Sequence, residues 1–360
     1  MMPENDRQPD AVNRADRARD AGGRRVTGEI PGLYVLKFIC ALFVVNLHFQ
    51  SFLRDLMLPA MRIAMPVFFC ITGYFLLDGQ SRISERKVLR MIIKIVILYV
   101  FALLIYLSFI ACRTWLSESG HDGFMTRIFS AEGYCNLRYT AHHLWYLDAL
   151  ILSLCVIYAF SKLKIVKLLY LLIPFGTILY LLMNNYRFCL PESLSALSLP
   201  STVTNVICFG LPYIMTGTLL RIFEHKLPCK KTAWRLFIVL LLLSGIEYVL
   251  LPRISGDTYI FTLPLMAIAF VVFKNMEIKS KPGLLLAEYG KLYSTDIYIL
   301  HMLAGMIILP VAVYLTYTIF GISGIKSIEA FVVFIATFLF AVCVRKLWKY
   351  HKNLFVNKKI

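Results

Sequence analysis

Residues 33–50 read LYVLKFICALFVVNLHFQ. Apart from Lys37, Asn46, His48 and Gln50, every side chain in this stretch is apolar or aromatic. The apolar run carries on to residue 53. That supplies about 20 residues, the length a helix needs to cross the hydrocarbon core of a bilayer. A strand of a membrane barrel would instead show about 10 residues of alternating polarity. The stretch therefore predicts a membrane-spanning helix.

Nine further runs have the same character: 57–77, 91–112, 142–160, 164–183, 203–221, 236–252, 258–274, 292–316 and 328–347. Over the whole 360 residues, 59% are hydrophobic and 16% charged. Soluble domains are about 25% charged. The composition excludes a water-soluble enzyme, a disordered tail protein and a nucleic-acid-binding domain, and membrane lipids become the principal surroundings. The expected fold class is an all-α integral membrane protein with about ten transmembrane helices. Oligomeric state is not legible.

Residues 1–30 are polar and Arg-rich, without an apolar core, and read as a disordered cytoplasmic tail rather than a signal peptide. The membrane domain is expected over 31–348, followed by a basic cytoplasmic tail over 349–360. The net charge of +17 follows the topology. With the N-terminus inside, every inside segment is basic. All Lys and Arg fall in those segments except Arg54, Arg62, Arg113, Arg127, Arg138, Arg187, Arg253 and Lys326. Such asymmetry supports an even number of spans with both termini cytoplasmic. The outside segments 113–141 and 184–202 are long enough to shape a site. The nine cysteines include no C-x-x-C pair, so no metal cluster is expected. A disulfide between two of Cys112, Cys135 and Cys189 is one reading of the outer segments.

An ionisable side chain inside a span costs roughly 2.5–3.5 kcal/mol on insertion scales and marks function by default. This filter selects Lys37, His48, Arg62, Asp148, Glu247, Asp296 and His301, with His142 and His143 at a span edge. His48 lies eleven residues after Lys37. On a helix that is about three turns and about 16 Å, so both share one face. Lys37 can snorkel to the inner surface. His48 lies too deep for that and must face protein, water or substrate.

Six stretches resemble the membrane-bound acyltransferase-3 family. Lys37-x10-His48 has the spacing of that family's basic residue and histidine on the first helix. RIAMPVFFCITGYFLL, with Pro66 to Tyr74 at its centre, resembles the second helix. Arg86, Lys87, Arg90 and Lys94 resemble the basic opening of the third, and HLWYL at His143 to Leu147 a signature of the fourth. FGLPYIMTG at Phe209 to Gly217 and STDIYILH at Ser294 to His301 resemble two later signatures. The similarity runs over roughly 33–345. It implies transfer of an acyl group, commonly acetyl, from cytoplasmic acyl-coenzyme A to a hydroxyl of an extracytoplasmic glycan or its lipid-linked precursor. Lys37 departs from the commoner Arg and offers a point charge without a bidentate fork.

The residue types suit that chemistry. A sugar hydroxyl is a poor nucleophile at neutral pH, and a positioned His can take its proton during attack on the thioester. His48 is the expected base, with an acyl-His intermediate as a variant. Lys37 and Arg62 are expected to hold the donor or to stabilise charge on the thioester oxygen. Arg86, Lys87 and Arg90 meet the coenzyme phosphates, or simply obey the positive-inside rule. His143, Trp145 and Tyr146 bind the acceptor or anchor the span at the interface. Asp148 orients His48, pairs with Arg62, or forms a structural ion pair. Glu247 is a candidate second carboxylate at the acceptor site. His301 assists there or satisfies Tyr298 or Asp296. Metal binding by His142 and His143 is not expected, since adjacent residues point in different directions and no third ligand is apparent. The competing class is a multi-span transporter or exporter whose buried polar groups line a solute path; no transporter-type internal repeat supports it.

Overall fold

The structure, a computed structural model, describes residues 29–78, 82–116, 140–195, 198–251, 258–320, 325 and 327–357. The expected N-terminal tail and most of the first long outer segment lie outside these residues.

Among the described residues, eleven helices of eight residues or more follow one another. They are α1 (Pro31–His48), α2 (Arg54–Met61), α3 (Ala64–Leu76), α4 (Glu85–Trp115), α5 (Trp145–Lys162), α6 (Leu172–Met183), α7 (Leu211–Ile222), α8 (Lys230–Leu250), α9 (Thr262–Lys274), α10 (Lys281–Phe320) and α11 (Glu329–Asn357). Short 3-10 turns lead into α5 and α6, and a π-helical segment, Thr204–Gly210, leads into α7. No strand forms among the described residues. Among the described residues, nine helical stretches are long and apolar enough to cross a membrane, with α2 and α3 together making the second. The tenth apolar run is present as the shorter α9. The chain is thus an all-α, multi-pass integral membrane protein.

Two boundaries depart from the sequence expectation. The run 258–274 becomes a helix of only 13 residues, about 20 Å long against a hydrocarbon core of about 30 Å. It survives because protein, not lipid, surrounds it: Leu265, Met266, Ala269, Phe270, Val271 and Val272 are all buried, against α1, α3 and α8 among others. The run 292–316 instead extends to 40 residues in α10, well beyond the bilayer. Likewise α11 continues to Asn357, through the expected start of the basic tail. Cys112 and Cys189 are free thiols, so they are not bridged to each other; Cys135 lies outside the described residues.

The apolar surface is turned outward as a lipid environment requires. On α4, Ile93, Ile97, Phe101 and Leu104 are exposed along one face, whereas Val88, Ile95, Ala102 and Tyr106 are buried on the other. Inside, Phe69, Tyr74, Tyr213 and Phe270 fill the centre between α3, α7 and α9.

Without a hydrophobic drive between helices, membrane bundles gain from close backbone packing at small residues. Here α3 and α7 meet through two glycines. A Cβ on Gly73 would lie 1.9 Å from the Ile214 carbonyl oxygen, and one on Gly217 would lie 2.0 Å from that of Cys70. Gly73→Ala or Gly217→Ala is therefore expected to force the helices apart and cost about 1–3 kcal/mol. The measurement is thermal melting in detergent, and unchanged melting in both variants would refute the contact.

Just beyond this seam, Arg221 donates to the Tyr74 hydroxyl at 3.0 Å and to Glu224 at 2.5 Å, while Lys274 pairs with Glu224 at 2.7 Å. Partial burial works to raise the Glu224 carboxyl, but Lys274 and Arg221 overcome it and hold the group below the usual carboxylate range. The cluster ties α7 to α9 at the end assigned to the cytoplasm.

Candidate active site

The helix α1 stops at His48, because Phe49 turns to an extended conformation. Asn46 secures the exit: its side chain donates to Leu42 O at 2.9 Å and accepts from Ser51 at 2.6 Å. The chain then reverses into α2, and a break at Arg62–Ile63 separates α2 from α3. These two interruptions bring His48 and Arg62 to one cavity of about 150 Å³. His143, from the 3-10 turn before α5, and Tyr298, from the middle of α10, complete its polar lining. Trp145, Phe209, Met65, Val44 and Leu47 supply the apolar walls. Trp145 meets Phe209 edge-to-face at 5.5 Å. A chamber this small admits the reacting ends of substrates, not a coenzyme or a sugar chain.

Histidines surround His48. Its ring centroid lies 5.1 Å from His301, 5.5 Å from His142 and 6.5 Å from His143. His142 and His143, neighbours in the 3-10 turn, have ring centroids 6.2 Å apart at an interplanar angle of 83°, and the three rings form a triangle with His48 at its third corner. No group of three or more His, Cys, Asp or Glu among the described residues is arranged to hold a metal ion.

A hydrogen-bond network fixes this wall of the chamber. The Tyr106 hydroxyl of α4 donates to Ile299 O at 2.8 Å and accepts from Leu303 N at 3.3 Å. It thus sits astride one turn of α10. His143 Nε2 lies 3.1 Å from the same Ile299 oxygen and 3.2 Å from Tyr106. The Tyr298 hydroxyl donates back to the His143 carbonyl. His301 Nδ1 lies 2.7 Å from Tyr298 O and 3.2 Å from Ile297 O, on its own helix.

The structure therefore brings together His48, Arg62, His143, Trp145 and His301. Other expected residues fall elsewhere. Lys37 is half-buried about 16 Å away along α1, with Lys94 as its neighbouring charge; it does not join His48. Tyr146 is a core residue, packed 4.6 Å from Phe69 and 5.4 Å from Tyr298 and absent from the cavity wall. Asp148 makes no hydrogen bond to His48 and no ion pair with Arg62 among the described residues; it lies in the first turn of α5, where a negative charge complements the helix dipole.

Glu247 is no second carboxylate of the chamber. It accepts from the Tyr186 hydroxyl and from the backbone N–H groups of Ile260 at 2.7 Å and Phe261 at 3.1 Å. It thus caps the N-terminus of α9 from α8. Hydrogen bonds to a charged group contribute about 1.5–3 kcal/mol. Glu247→Ala is expected to lower the melting temperature while the folded fraction keeps its specific activity; a lost activity at unchanged melting would restore the acceptor role. Asp296, the remaining carboxylate, is held by Arg345 at 2.5 and 3.0 Å, not by His301.

Arg86, Lys87 and Arg90 open α4, 16 to 20 residues before Tyr106, or about 24–30 Å from the chamber along the helix. Lys87 donates to Leu77 O at 2.8 Å and so closes the end of α3. Arg86 and Arg90 are exposed.

A bundle of apolar spans around a chamber lined by His48, Arg62, His143 and Tyr298 defines a multi-pass integral membrane protein. The chain belongs to the acyltransferase-3 family: the model of its acyltransferase domain matches residues 30–346. A protein of Enterococcus faecalis named as an amino-acid racemase is 27% identical over 312 residues, a match covering 79% of this chain and 42% of that protein. The chain thus spans less than half the length of that relative. No solved structure matches.

Proposed function

We propose that this membrane acyltransferase moves an acyl group, acetyl by preference, from cytoplasmic acyl-coenzyme A to a hydroxyl of an extracytoplasmic glycan or lipid-linked precursor, in a bacterial cytoplasmic membrane. The observation that carries the reading is His48 beside Arg62 in a small, deep cavity. His48 takes the proton of the attacking hydroxyl. Arg62 faces the charge that develops on the thioester oxygen. Trp145 and Phe209 offer aromatic faces to a sugar ring. On the inner side Lys37, Lys94, Arg86 and Arg90 form the basic approach for the coenzyme phosphates, with Lys37 guiding the donor rather than acting in the chemistry.

The family and the chamber support this reading. The racemase name attaches to a protein more than twice as long as the matched stretch and adds nothing to the chemistry of His48. Mass spectrometry of cell-surface glycans with and without the protein tests the proposal. One glycan species should gain the mass of one acyl group only when the protein is present. Identical glycans, together with solute movement in vesicles lacking any acyl donor, would replace acyl transfer by transport.

A further inference from the structure

We propose that His301 is a positioning residue: its ring accepts an N–H from His48 and so presents the other nitrogen of His48 to the cavity as a bare acceptor. The inference rests on His48 acting as the base. It begins from the protons that the surroundings dictate. His301 Nδ1 has two carbonyl oxygens as neighbours, Tyr298 O at 2.7 Å and Ile297 O at 3.2 Å. A carbonyl has no hydrogen to give, so Nδ1 carries it. A neutral imidazole has one N–H, which leaves Nε2 bare. That nitrogen is buried without a hydrogen-bond partner among the described residues, and His301 is 0% exposed.

His143 repeats the pattern. The single hydrogen of the Tyr106 hydroxyl goes to Ile299 O at 2.8 Å. His143 Nε2, 3.1 Å from the same oxygen, therefore carries its own hydrogen. Its Nδ1 is left bare, buried and without a partner among the described residues. Two imidazoles with ring centroids 4.9 Å apart thus hold two unmet acceptors inside the protein. Buried acceptors left unmet are unfavourable, so a donor belongs beside them. His48 is the third ring of this group, nearer to His301 at 5.1 Å than to His143 at 6.5 Å. Two imidazoles joined by an N–H···N bond of ordinary length have centroids about 5 Å apart. The His48 and His301 rings have this separation but are not hydrogen-bonded here. A small rotation of His48 closes the contact, and catalytic hydrogen bonds commonly tighten only in the reacting complex.

The step then balances. With one His48 nitrogen committed to His301, the other takes the hydroxyl proton of the acceptor as the acceptor oxygen bonds to the thioester carbonyl carbon. The carbon–sulfur bond breaks, and the departing thiolate takes the same proton from His48 to become the free thiol. His301 gains and loses nothing. It holds one tautomer of the base, the role of the third group in base–orienter sets.

Three variants of the full chain, purified in detergent, test this with acetyl-coenzyme A as donor and water as acceptor. His301→Met fills the space without a strong acceptor; His301→Gln returns an acceptor oxygen; His48→Ala removes the base. The Met variant should lose kcat by roughly 10²-fold with KM for acetyl-coenzyme A within about twofold, and the Gln variant should recover most of the loss. Wild-type kcat in the Met variant while His48→Ala is inactive overturns the positioning role alone. An active His48→Ala protein overturns the base reading itself. Gln and Met variants equally impaired, with wild-type melting, also overturn it. A second measurement needs neither variant nor turnover: nitrogen-15 spectra of ring-labelled wild-type protein should show His48 as one neutral tautomer, and a mixture of tautomers refutes the proposal.

Discussion

A His48→Ala protein is expected to lose acyl transfer by about 10²–10⁴-fold, the contribution of a positioned general base, or about 3–5 kcal/mol of barrier. The ring ends α1, lines the cavity and is half-buried. Removing it enlarges a chamber that already exists, and no hydrogen bond of its side chain joins two helices in this structure among the described residues. Accumulation in the membrane should therefore stay close to wild type. Labelled acetyl-coenzyme A supplied to membranes, with transfer to the glycan fraction normalised to protein level, separates the two quantities. Transfer within about threefold of wild type would remove His48 from the chemistry and leave the chamber without a base.

The second large effect is expected at Arg62. Removing a group that stabilises a developing oxyanion costs about 10²–10³ in kcat. Arg62→Ala should show a loss of that order. Arg62→Lys should fall between, because it keeps the charge but not the planar fork. A structural role makes a different prediction. Arg62 occupies the turn between α2 and α3, so a residue needed only for that turn would lower the melting temperature in both variants. It would leave the rate of the folded protein unchanged. Measuring kcat beside melting in the same preparation decides between the two.

The helices were legible because lipid imposes a length and a composition on each crossing. All ten apolar runs have a helix, and the misjudged ends have a common cause. Hydropathy detects what lipid demands, and α9 answers to protein neighbours, while the first turns of α10 extend beyond the bilayer. The site was legible in part for a related reason. An ionisable group in a span is costly whatever its purpose, so the same filter found His48, which faces the cavity, and Glu247, which caps a helix. Only the three-dimensional neighbours separate them. The nearness of His142 to His48 left no signal, because it is a contact between residues far apart in the chain. Tyr106 left no signal at all: a tyrosine within an apolar run reads as core, and its hydroxyl gains meaning only when it meets Ile299 and Leu303 of α10. Phe209 was singled out only as the first residue of the FGLPYIMTG stretch, and its place on the cavity wall, at the end of the π-helical segment, had no pattern in the residues.

The glycine contact between α3 and α7 limits how this protein can move. Where two backbones touch at Gly73 and Gly217, sliding one helix along the other drives a carbonyl oxygen into a Cα, so the pair behaves as a single rigid beam. The chamber takes its polar lining from outside this beam: the Arg62–Ile63 break and the turn at His142–Leu144, where the helices are interrupted, supply Arg62 and His143.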